Sequence, residues 1–239
     1  MIACECRVCT STDSRDKRLR SSVMIEDNGT TVVIDSGPDF RQQLLRENVK
    51  KLDAVVFTHG HKDHTAGLDD VRAFNYKQQR AMDIYANLHT QEILKREFQY
   101  VFSGPNYPGI PELLVHTIRP NEPFFVDRME LHPFEAMHYK LPVLGFRVKG
   151  FSYVTDANFL SDDTKQQIKG SRVLILNALR RDKHISHYTL TEAVALAQEL
   201  HVEQTYFTHM SHQIGLHAEL EKELPPNIQP AYDGLQIEL

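Results

Sequence analysis

The sequence predicts a layered α/β fold on three observations. Strand-like apolar runs alternate with helical stretches in the first half, short turn-separated strands fill the middle, and strand–helix alternation returns in the last third. With 239 residues, 41% hydrophobic and 25% charged, the chain suits a single domain over 1–239, undivided by repeats or low-complexity linkers.

In order, residues 22–26 read as a strand and 31–35 as its return, joined by Asp27-Asn28-Gly29-Thr30. The Asn-Gly pair favours the positive φ of a tight hairpin. Ser36-Gly37-Pro38-Asp39 breaks the strand, and Pro38 starts a helix over Phe40, Leu44 and Leu45. Asp35, at the strand end, either caps the turn or supports a neighbouring ligand. Residues 52–57 form a buried strand. Two helices, 67–76 and 89–100, flank a short strand at 83–86, and the Pro- and Gly-rich residues 103–111 read as an extended surface loop. Strands at 113–118, 130–134, 145–149 and 151–155 suggest a second sheet. Another covers 172–177. Thr189 and Glu192 form a capping box opening a helix whose Ala193, Leu196, Ala197 and Leu200 face a core. A last strand, 204–207, leads into Thr208-His209.

Charge excludes some partners. A net charge of -5 supplies no broad basic field, so nucleic acid is not an expected partner. No run approaches the ~18 apolar residues of a membrane span and no signal peptide opens the chain, so no membrane partner and a cytoplasmic location are expected.

The chemistry concentrates in His59-Gly60-His61-Lys62-Asp63-His64, directly after the 52–57 strand. Neutral imidazoles and carboxylates are what Zn²⁺ or Mn²⁺ prefer, and a strand end can aim several at one point. Further candidates stand at strand ends: His138, Asp156 and His209. Cys4, Cys6 and Cys9 are the only cysteines. An odd, tightly spaced set is a poor disulfide framework and reads as three thiolates of a structural zinc site lacking its fourth ligand.

The order His59-x-His61-x-Asp63-His64, then His138, Asp156 and His209, resembles the metallo-β-lactamase superfamily in its binuclear hydrolase form. The resemblance implies a four-layer αβ/βα sandwich. It also implies His59, His61 and His138 on one ion, Asp63, His64 and His209 on the other, and Asp156 bridging. Cys4-x-Cys6-x-x-Cys9 and Thr208-His209-x-x-His212-Gln213 are similar to a bacterial phosphodiesterase branch typified by phosphoribosyl 1,2-cyclic phosphate phosphodiesterase. That branch implies His212 as fourth ligand of a structural Zn²⁺, with His217 competing for the place. The branch and the related tRNA 3′-processing nucleases set a non-ligand His before a helix as proton donor. Here that is His187, with His184 the second choice. Relatives begin with a strand and a glycine-rich segment before the cysteines; this chain starts at Met1-Ile2-Ala3-Cys4, so substrate contacts from such a segment are not expected.

The implied function is hydrolysis of a small cyclic phosphodiester, such as phosphoribosyl 1,2-cyclic phosphate. Water is activated between two divalent ions, Zn²⁺ or Mn²⁺, Asp63 orients the nucleophile, and His187 protonates the leaving alkoxide. The alternatives are a tRNA 3′-processing-type endonuclease, a thioester or lactone hydrolase, and, from another class, a catalytically silent metal-bound scaffold. The family also implies a homodimer.

Overall fold

The computed structural model describes residues 1–103 and 109–239, so most of the loop expected over 103–111 lies outside the described residues. The chain divides into two compact units, Arg20–Pro133 and Met1–Leu19 with Phe134–Leu239.

In Arg20–Pro133, β1 (Val23–Asp27), β2 (Thr30–Ile34), β3 (Ala54–Val56), β4 (Met82–Ala86) and β5 (Leu113–Thr117) lie side by side in chain order. The β1–β2 hairpin is antiparallel and pairs Asp27 with Thr30, and its turn takes φ of 49° at Asn28 and 82° at Gly29. All later pairs are parallel. Parallel strands are covered on both faces, which is why β2 and β3 are buried at every residue. Helices α1 (Phe40–Arg46), α2 (Lys62–Thr65), α3 (Arg72–Gln78), α4 (Leu88–Glu97) and α5 (Gln99–Phe102) belong to this unit. Its core includes Phe40, Leu52, Phe57, Leu68, Ile84 and Leu94.

Three expectations need correction. The sequence places residues 113–118 in the second sheet, but β5 pairs with β4, Leu113 opposite Met82. Periodicity identifies a strand without naming its neighbour. The helix expected over 89–100 breaks at Phe98, where φ is -111° and ψ 40°. Leu45 is 69% exposed, so α1 packs through Phe40 and Leu44 instead.

The chain passes from one unit to the other within β7 (Met129–His138), after β6 (Phe124–Val126). β8 (Leu141–Val148), β9 (Phe151–Val154), β10 (Val173–Asn177), β11 (Gln204–Thr208) and β12 (Ile228–Pro230) complete a seven-stranded sheet of order β12-β11-β10-β9-β8-β7-β6. β9 to β12 run parallel, and β8 meets β9 antiparallel. With them go α6 (Asp162–Ile168), α7 (Leu190–Leu200) and α8 (His217–Glu223). The capping box forms: Glu192 N donates to Thr189 Oγ1 at 3.2 Å and Thr189 N to Glu192 Oε2 at 2.9 Å. That helix packs Ala193, Leu196, Ala197 and Leu200 into a core with Phe134, Val154, Leu174 and Phe207. The α/β class is borne out, as two sheets with helices. Among the described residues, no helix is long and apolar enough to cross a membrane.

Candidate metal centres

The His-rich segment leaves the C-terminal end of β3, where ligands gather in parallel sheets. Backbone contacts hold it: Ser36 N donates to His64 O, and Gly67 N to Ser36 O, both at 2.8 Å. Gly37 lies so close that a Cβ there would stand 2.2 Å from the Asp63 carbonyl oxygen, so no side chain fits.

Asp35 takes the supporting role, one of its two expected alternatives. Buried after β2 with φ of 66°, it accepts hydrogen bonds from Thr58 N at 2.9 Å, Thr58 Oγ1 at 2.8 Å and His64 Nδ1 at 2.7 Å. A carboxylate only accepts, so the His64 hydrogen sits on Nδ1 and the Nε2 lone pair remains, 3.6 Å from Asp63 Oδ2. Thr58 spends its hydroxyl hydrogen on Asp35 and therefore accepts from His59 Nδ1 at 3.0 Å, which leaves His59 Nε2 as the donor atom. His59 Nε2 and His61 Nδ1 are 3.0 Å apart. Two nitrogens on one ion at 2.0–2.1 Å bonds stand about 3.0–3.4 Å apart, so the pair fits a shared cation.

In the other unit, His138 is the last residue of β7, Asp156 follows β9 and His209 follows β11. β9 and β11 flank β10 and run parallel to it, so Asp156 and His209 emerge at the same end of the sheet. Both turn sharply in left-handed backbone, with φ of 54° and 53°. That conformation is uncommon without glycine and gathers at functional sites. Asp156 Oδ1 lies 3.1 Å from His209 Nε2 and Oδ2 3.9 Å from His138 Nε2. One oxygen faces each imidazole, as a bridging carboxylate requires. His138 Nδ1 donates to Ser186 O at 2.9 Å, which keeps its Nε2 lone pair available.

The ring of His187 packs 4.6 Å from that of His138 and 4.9 Å from those of His209 and His184. Burial pushes His187 down to about 3 against the pull of Asp156. Of the two proton-donor candidates, His187 is the one that touches the metal-ligand candidates. His184 packs on His187 instead. Asn158, absent from the sequence reading, ties these loops together: it accepts from Tyr139 N at 2.7 Å and donates to Ile185 O at 3.2 Å. Thr58 and Ser186 were also missed as orienters; their adjacency to His59 and His187 was the only signal.

The N-terminal thiols and His212 form a third group, with one ligand atom each of Cys4, Cys6, Cys9 and His212 within 4.8 Å of one another. His212 Nδ1 is 3.4 Å from Cys4 Sγ and 3.3 Å from Cys6 Sγ. Tetrahedral zinc with ~2.3 Å and ~2.0 Å bonds sets such atoms roughly 3.5 Å apart, so the donors fit. The His212 contact holds the Cys6 thiol down at about 6, toward the thiolate a metal needs. His217 is not in this group. It is buried at the start of α8, its backbone N donating to Asp16 Oδ1 at 2.8 Å and its Nε2 3.7 Å from Glu221.

A family model described as a beta-lactamase superfamily domain matches residues 30–210. The crystal structure of a new diphosphatase from the PhnP family is 38% identical, covers 100% of this chain and 91% of its own, and superposes with a TM-score of 0.92. The chain belongs to the metallo-β-lactamase superfamily, in its PhnP family. The short form of human tRNase Z, 19% identical with 92% of each chain covered and a TM-score of 0.72, shares the metallo-β-lactamase fold. A curated relative from Porphyromonas gingivalis, named octanoyltransferase, is 37% identical over 237 residues. The match takes in 98% of this chain but 48% of that protein, so the chain spans about half the relative's length. The metallo-β-lactamase fold implies divalent ions. With the donor sets above, it fits a metal-dependent hydrolase.

Proposed function

We propose that the protein hydrolyses a small phosphodiester, with a cyclic phosphate such as phosphoribosyl 1,2-cyclic phosphate the preferred class. In this reading residues 1–239 act as one hydrolase domain, and the family model running over residues 30–210 supports it. His59, His61 and His138 would hold one divalent ion and Asp63, His64 and His209 a second, with Asp156 serving both and Zn²⁺ or Mn²⁺ as the metal. Cys4, Cys6, Cys9 and His212 would hold a structural Zn²⁺. Ions so held lower the pKa of a water and neutralise charge on phosphoryl oxygens.

The chain's own residues do the remaining work. Asp35 and Ser186 fix the tautomers of His64 and His138, and Asp63 orients the nucleophile. His187 carries the proton for the leaving alkoxide. Neutral in a buried pocket, it becomes a proton carrier when an anionic phosphate offsets the cost of its charge. The observation that carries the reading is this non-ligand imidazole packed against both His138 and His209. A phosphodiester needs a protonated leaving group, whereas a thiolate leaves unaided.

The partners in this reading are a small-molecule diester, no nucleic acid, no membrane, and a second copy of the chain as a homodimer. The name of the Porphyromonas gingivalis relative raises acyl chemistry as a second reading. Acyl transfer through a cysteine finds no support, because all three cysteines stand in the group with His212. The test is turnover of a phosphodiester panel, beginning with bis(p-nitrophenyl) phosphate, by protein loaded with Zn²⁺ and separately with Mn²⁺. Hydrolysis of octanoyl thioesters with no diester turnover would reverse the assignment.

A further inference from the structure

Adjacent arginines in the loop between β10 and α7 have opposite fates. Arg181 is neutralised: its Nη1 and Nη2 donate to Glu223 at 2.7 and 2.6 Å. Arg180 makes no ion pair among the described residues. Its guanidinium is instead curled into its own loop, Nε donating to Asp182 O at 3.2 Å and Nη2 to Lys183 O at 2.8 Å. Nη1 donates to Gln213 Oε1 at 3.3 Å. All three acceptors are neutral. They hold the group in place without cancelling its charge, and two of its five N–H donors are left, one on each terminal nitrogen.

The backbone around it is equally fixed. Leu190 N, in the first turn of α7, donates to Arg180 O at 2.9 Å, and Ser211 N donates to Leu179 O at 2.8 Å. Gln213 follows the zinc-ligand candidate His212, so Arg180 is braced from that side as well. The charge stands beside His184, whose imidazole it helps hold below its ordinary range after burial, and His184 packs on His187. Lys183, also without an ion pair among the described residues, adds a second cation to the same loop. A guanidinium held rigid and unneutralised in the loop that also carries His184 and His187 is arranged as an anion receptor.

We propose that Arg180 is a specificity-determining residue that binds a second anionic group of the substrate, a phosphate or carboxylate, beyond the phosphodiester being cleaved. The proposal rests on the phosphodiesterase reading for its substrate, though not for the anion-binding function of the loop. It selects diesters with a second charge over neutral-tailed ones such as bis(p-nitrophenyl) phosphate. A Lys in place of Arg180 keeps the charge but loses the fork, and retains part of the effect.

The test is calorimetric binding of thymidine 5′-phosphate and thymidine 3′,5′-bisphosphate to the metal-loaded protein, beside turnover of bis(p-nitrophenyl) phosphate. In the native protein the second phosphate is expected to tighten binding about tenfold or more. Arg180→Ala should abolish that gain and leave the monophosphate affinity within about twofold. Arg180→Lys should keep a part of it, and Arg181→Ala all of it. No preference in the native protein, or an equal loss for both ligands in Arg180→Ala, overturns the proposal. If Arg180→Ala does not fold, a reduced gain in Arg180→Lys with full retention in Arg181→Ala supports the proposal, and full retention in Arg180→Lys overturns it. A preference that depends on Arg180 without turnover of any diester leaves the anion receptor standing and removes the phosphodiesterase reading.

Discussion

The two sets of catalytic ligand candidates are built in contrasting ways. His59, His61, Asp63 and His64 come from six consecutive residues, and the hydrogen bonds from His59 and His64 that set their tautomers run to Thr58 and Asp35 of the same unit. His138, Asp156 and His209 come from three strand ends far apart in the chain, and two of the three strands reach one end of the sheet only because β10 lies between them. The compact set depends on one turn. The dispersed set depends on strand order and on two left-handed residues, Asp156 and His209. The first tolerates little local change, and the second tolerates little change in sheet packing.

Breaking each set at its centre gives the largest effects. His61→Ala and Asp156→Ala should each lower diester turnover by about three orders of magnitude or more, measured as kcat on bis(p-nitrophenyl) phosphate with metal content checked. Asp156→Ala alone should remove more than one ion per chain, read by metal analysis, because its two oxygens face two imidazoles. Loss of one ion only would refute the bridging role. His187→Ala comes next, at about 10²–10⁴-fold in kcat with metal content intact. A p-nitrophenolate leaving group, which needs little protonation, should suffer less than an alkoxide one.

Asp35→Asn tests whether the compact set is tuned by its support. Losing the carboxylate behind His64 should cost about 10- to 100-fold in metal affinity or activity. The matching change behind His138 is not available to mutation, since its partner is the Ser186 carbonyl. Cys6→Ser tests the third site. It should lower Tm by more than about 5 °C and release one Zn²⁺, while the catalytic ions remain.

The smallest effect concerns His217, the imidazole that the cysteine group does not use. Burial lowers its pKa in the folded protein, whereas in the unfolded chain it protonates near ~6.5. The unfolded state therefore binds the extra proton, and stability falls as pH drops below about 6.5, with no contribution above it. His217→Gln should flatten the Tm-versus-pH curve between about pH 7 and 5. An unchanged slope would show that the ring is solvated.

Much of this is legible in the sequence. The hairpin at Asn28-Gly29, the capping box at Thr189 and Glu192, and the ligand loop after residues 52–57 are local patterns, where a few neighbouring residues decide the outcome. Assigning 113–118 to the wrong sheet, the break at Phe98 and the unread strand at Ile228–Pro230 share a different cause. Alternation with a period of two says that a segment is extended, but its partner is chosen by burial against residues distant in the chain. The same limit governed Arg180: two adjacent arginines look alike until Glu223 is seen to meet one of them.

The sequence alone therefore settles the chemical alphabet: imidazoles and carboxylates at strand ends, three thiols at the N-terminus, and helices and strands where local pattern is strong. Tertiary structure decides what those groups become. It makes Asp35 a support rather than a cap, it gives His212 rather than His217 to the thiols, and it pairs Arg181 with Glu223 while Arg180 meets only neutral acceptors. The reason is that tautomers, field and coordination depend on which atoms lie within a few ångströms, and that distance is set by long-range packing.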